Sequence, residues 1–189
     1  RGLSYHQLLA VMAIFDVCTA LAWSMATVPL PLPDAGFIYG ADGNHQSCKT
    51  QAFFVQLGFT SVFYNVSLTA YYVLVVARGW RETALKKIRI WLHGVPLVLG
   101  VGLAFGGIPV YDWIEYGCML PIHTVWGALV FGVIPLGLSI GCVVAAMITL
   151  YVSVRRKSRA SRRWALGSSN AAVLERKVFW QALLYSLSF

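Results

Sequence analysis

The sequence predicts an all-α, polytopic membrane helix bundle, and three observations carry that prediction. Of its 189 residues, 58% are hydrophobic and only 12% are charged, with a mean hydropathy of +0.68. Soluble domains carry about 25% charged residues. Four apolar runs, over about 8–30, 50–77, 90–108 and 123–154, each approach or exceed the roughly 20 residues that a helix needs to cross a bilayer. Basic residues gather in every second connection between those runs. In a soluble chain the net charge of +8 would suggest nucleic acid. Here the charge is confined to two connections and their flanks, so membrane lipid is the expected partner and nucleic acid is not.

The first run holds a single charge, Asp16, and ends among Pro29, Pro31 and Pro33, which favour extended chain. Residues 31–47 follow as a loop with two acids and no Lys or Arg. The second run has no charge from Thr50 to Ala77. Gly58, Ser61, Asn65, Thr69 and Tyr72 recur in it at steps of three or four, so they share one helix face. Such a stripe of small and polar residues suits a central helix that neighbours approach closely. Segment 78–89 then carries five basic residues and one acid. The third run holds five glycines and stops at Pro109. Segment 109–122 has two acids, a cysteine and no base. The fourth run contains Pro135, which removes one backbone hydrogen bond and predicts a hinge. Residues 155–163 hold six basic residues and read as a loop. A small polar linker leads to a fifth run, 178–189. The chain begins at Arg1 and ends inside that run, so it reads as a single transmembrane domain truncated at both ends.

Positive charge accumulates on the cytoplasmic side of short loops. Segments 78–89 and 155–177 are therefore expected inside, and 31–47 and 109–122 outside. Cys48 and Cys118 both fall at outer positions, in an oxidising compartment, where they can form a disulfide or remain free thiols. Cys18 and Cys142 lie within runs.

A cysteine opening one span and a second in the outer loop before the span after next are features of G protein-coupled receptors. The chain resembles that seven-transmembrane family along its whole length, as spans two to the start of six. The run Tyr64–Leu74 (YNVSLTAYYVL) is most similar to the cAMP-receptor-like and secretin-like branch of protists. The acid-Arg-Tyr ending of the third span in rhodopsin-like receptors is absent, and the first arginine is Arg78. The resemblance implies a Cys48–Cys118 bond, a plasma-membrane location, an extracellular ligand and a heterotrimeric G protein as partner. It also implies that Arg78, Arg81, Lys86, Lys87, Arg155, Arg156 and Lys157 contact the G protein. Setting topology and binding anionic headgroups is the plainer role for the same residues.

Two further sets of residues are candidates. Asp16 is the only acid inside a run, and an intramembrane charge marks function by default. Asp16 and Asn65 lie at similar depths, about 15–18 Å from the inner end at 1.5 Å per residue, so a hydrogen bond can join them, either as a polar switch or as a purely structural contact. A ligand site would sit in the outer half. Gln51, Phe54 and Gly58 share one face of the central run, and His123, Trp126 and Val130 share a face of the fourth. Aromatic residues there also serve as interfacial anchors. No catalytic motif, glycine-rich phosphate loop or metal-ligand spacing appears, so neither an enzyme nor a cofactor is expected. A transporter or channel is the alternative class. Internal repeats would favour it, and none is seen.

Overall fold

Asn44 starts the central span. The computed structural model describes residues 3–31, 38–80, 82–114, 117–120 and 125–164. Asn44 Oδ1 accepts the Ser47 N–H at 2.9 Å, and the Ser47 hydroxyl accepts the Asn44 N–H at 2.8 Å. This reciprocal cap satisfies donors that a helix start otherwise leaves open. Helix α2 (His45–Leu57) follows, Gly58 interrupts it, and α3 (Phe59–Tyr72) continues into a π-turn over Val73–Ala77. The whole span, His45–Ala77, has 33 residues, about 50 Å of helix, and so must tilt or protrude from a core about 30 Å thick.

Three further helices are long and apolar enough to cross a membrane, making four among the described residues. They are α1 (Leu3–Ser24), α4 (Glu82–Gly106) with its 3₁₀ extension Ile108–Val110, and a composite span. The composite span comprises α5 (Val125–Ala128), a π-turn over Leu129–Val133 and α6 (Ile134–Trp164). Two boundaries depart from expectation. The first helix stops at Ser24 rather than at Leu30. Ala26 takes a positive φ of 46°, and the Val28 and Leu30 carbonyls accept Asp42 and Gly43 N–H groups from the outer loop. The basic segment 155–163 is helix, not loop, because α6 runs on to Trp164. No Gly or Pro lies between Gly141 and Gly167, and the intervening Arg, Lys and Ala are good helix formers. The fifth run, 178–189, lies outside the described residues.

The central span touches all three other spans. Its closest approach is to α4, where a Cβ placed on Gly100 would stand 2.1 Å from Thr60 Oγ1. Only glycine lets the two backbones meet there. Two buried clusters flank this contact. The inner one gathers Leu8, Tyr64, Leu68, Tyr71, Leu85 and Leu92. The outer one gathers Leu30, Ala41, Cys48, Ala52, Tyr111 and Cys118.

A short antiparallel hairpin, β1 (Asp112–Ile114) and β2 (Gly117–Met119), closes the outer end, with Trp113 opposite Cys118. Cys118 is bonded to Cys48 at a Cα separation of 5.2 Å. Tyr111 is buried beside the hairpin and donates its hydroxyl to the Ala104 carbonyl at 2.7 Å. Burial pushes its phenol above the usual tyrosine range, so this donor keeps its proton throughout the neutral range.

Candidate functional site

At Gly58 the central span presses against α1. A Cβ on Gly58 would stand 2.8 Å from Thr19 Oγ1, and Thr19 donates to its own helix at Phe15 O (2.9 Å) and to Phe54 O (3.4 Å). Around this contact the helices part and line an open groove of about 500 Å³. The α1 wall is Asp16, Thr19, Ala20 and Trp23. The central span supplies Val55, Gly58, Phe59, Ser61 and Val62, and the fourth span supplies Leu136. Most of this lining is apolar.

Two polar groups on these walls lack partners. Asp16 is on the exposed side of α1 and has no hydrogen bond or ion pair among the described residues. Ser61 is 2% exposed, and its hydroxyl makes no hydrogen bond. A buried polar group left unmade costs about 1–3 kcal/mol. Thr60 Oγ1 is unpaired as well, but it is packed against Gly100 and does not line the crevice.

The expected Asp16–Asn65 switch is not formed. Phe15 stacks on Tyr64 with ring centroids 6.2 Å apart, and these rings fill the contact between α1 and α3. Asp16 turns instead toward the crevice, and no hydrogen bond joins it to Asn65. Of the residues expected to form an outer ligand pocket, the five that are described do not line one crevice together. Gln51 is 4% exposed and fully engaged. Its Nε2 donates to Ala22 O (3.0 Å) and Ala26 O (2.9 Å), and its Oε1 accepts the Cys118 N–H (2.9 Å). It is a clamp between α1, the hairpin and the disulfide. Phe54 is partly exposed against Phe53, Trp126 is 81% exposed and Val130 is exposed. His123 lies outside the described residues. Of the five described, Gly58 alone lines the crevice that Asp16 also lines.

The sequence reading missed Gln56. Pro135 has no N–H to give the carbonyl four residues earlier, that of Phe131. Gln56 Nε2 donates to that carbonyl at 2.6 Å. The expected proline hinge is therefore clamped from the central span. A proline in an apolar run and an amide in the apolar stretch of its neighbour were the available signal.

At the inner end Arg78, Lys86, Lys87, Arg155 and Arg156 are exposed, and Arg81 lies outside the described residues. Arg155 sits over the Tyr151 ring at 6.0 Å. Lys157 donates to the Val76 carbonyl in the π-turn, tying the inner ends of the second and fourth spans together. Among the described residues no group of His, Cys, Asp and Glu is placed to hold a metal. Comparison with protein-family models, with curated proteins and with solved structures finds no match.

Proposed function

We propose that the chain is the core of a G protein-coupled receptor of the plasma membrane. It would carry an extracellular signal to a heterotrimeric G protein. The observation that supports this reading best is the Cys48–Cys118 bond. It ties the outer start of the second visible span to the hairpin that precedes the fourth, in the pattern to which the sequence is similar. The four spans correspond in this reading to receptor spans two to five, and residues 178–189 open the sixth. Ligand binding at the outer side shifts the packing of the central span against its neighbours. The basic inner face then meets an acidic surface of the G protein, with Arg78, Lys86, Lys87, Arg155 and Arg156 exposed for it.

A nucleotide-exchange assay on the full-length protein tests this reading. Alanine at Lys86, Lys87, Arg155 and Arg156 together is expected to weaken exchange while ligand binding persists. A transporter or channel is the second reading, and Asp16 is the observation in its favour: a membrane carboxylate open to a crevice. Solute flux through reconstituted protein, with no exchange on any G protein, selects it.

A further inference from the structure

A cation from α6 meets an uncharged acceptor at the inner end of the central span: Lys157 Nζ donates to the Val76 carbonyl. The last carbonyls of a helix have no donor within it. The π-turn meets two of them locally, through the Arg78 N–H on Val73 O (3.3 Å) and the Trp80 N–H on Leu74 O (3.1 Å). Val76 O is met from the other span instead. Just beyond it Gly79 turns the chain at a φ of 67°, with open space where a Cβ would stand. The donor comes from the most basic stretch of the chain. Residues 155–163 hold six bases and no acid, and Arg155, Arg156, Lys157 and Arg159 are exposed. The uncharged run ends at Val154, so Lys157 stands about 4–5 Å beyond it at 1.5 Å per residue, at headgroup depth.

We propose that this bond is a latch that anionic lipid opens. Headgroup phosphates and carboxylates draw the Lys157 ammonium off the Val76 carbonyl, and the inner ends of the central span and α6 part. A charged acceptor makes a shorter and stronger hydrogen bond to an ammonium than a neutral carbonyl does. An ammonium has three N–H donors, so bridging both acceptors is the alternative. The free carbonyls around Val76 form the negative end of the helix dipole, which repels an anion brought beside them. The ammonium therefore moves to the headgroup instead of bridging. A membrane surface also engages Arg155, Arg156 and Arg159 at the same time, because these bases are spread around one helix at one depth. A single soluble phosphate meets fewer of them. The latch stands independently of G protein coupling, because it is read as a distance.

The test places spin labels at Trp80→Cys and Val152→Cys in the full chain, with the free Cys18 and Cys142 changed to alanine. Both label sites are partly exposed and neither carries a charge. Their separation is read by electron spin resonance in nanodiscs of phosphatidylcholine, and in discs with about 30% phosphatidylserine as the anionic surface. Both faces of a disc carry the same lipid, so sidedness does not enter. A shorter separation is expected in neutral discs and a shift to longer separations in anionic ones. Lys157→Met should show the longer separation in both. Lys157→Met that stays closed in neutral discs, or still responds to phosphatidylserine, overturns the proposal. So does a native separation that is unchanged or shortened in anionic discs. Inorganic phosphate that opens neutral discs as fully also overturns it, because lipid is then not the source. If Lys157→Met does not fold, as judged by size exclusion, the native comparison between the two lipids still decides. Failure here leaves the exchange assay untouched, and failure of exchange leaves this distance untouched.

Discussion

Gln51 and Gln56 lie on one helix five residues apart, and each places a buried amide where backbone polar groups need partners. Gln51 meets two carbonyls past mid-α1 and one N–H of the hairpin. Gln56 takes the carbonyl that Pro135 strands. A buried carbonyl without a donor costs about 1–3 kcal/mol, so Gln56→Leu should destabilise the folded chain by about that amount. Pro135→Ala restores an N–H at position 135. In the Gln56→Leu background it should recover much of the loss, and in the native background it should gain less. Thermal unfolding of the four variants in one detergent gives the cycle, and strict additivity would refute the shared carbonyl.

At the scale of elements, the central span is three segments rather than one rod. Gly58 breaks its register where α1 presses in, and the π-turn at Val73–Ala77 loosens its inner end. A π-turn leaves the regular i→i−4 pattern and often marks a functional position. Lys157 reaches across from α6 to Val76 in that turn, so the long inner extension of α6 is also a strut. Lys157→Met should therefore raise amide hydrogen exchange at residues 76–80 and leave the capped end at residues 44–48 unchanged. Equal exchange at both ends would show that the strut carries no restraint.

For the whole molecule, the outer end is covalently closed and the inner end is not. The Cys48–Cys118 bond encloses a loop with a sequence separation of 70, which spans the central helix and α4. In the chain-entropy account such a loop contributes on the order of 4 kcal/mol. Cys118→Ala should lower the unfolding temperature markedly and reduce the folded yield, and Cys48→Ala should match it. Combining the two should add little beyond either alone. Additive losses would mean that each sulfur acts by packing and not through the bond. Repacking in a receptor would then be freest at the inner end, where hydrogen bonds such as that of Lys157, rather than a covalent tie, hold the spans.

The sequence by itself determined the four described apolar spans and put Cys48 and Cys118 at the same end of them, and the structure decided that the two are bonded. Apolar length is a property of the linear chain, and the bilayer converts it into span number, while alternating loop charge gives an expected sidedness. The sequence indicated the packed face of the central span, where Ser61 and Thr69 are buried and Gly58 meets Thr19, but it did not determine which face of the other spans turns inward or where each polar side chain lands. Lipid is as apolar as a protein core, so hydrophobic periodicity does not fix the rotation of a helix about its axis. That rotation sent Asp16 into a crevice instead of onto Asn65, and it made Gln51 a clamp instead of a ligand contact. It also set Gln56 opposite the carbonyl of Phe131. Only the packed helices decide these matters, because each depends on one polar atom arriving within about 3 Å of another.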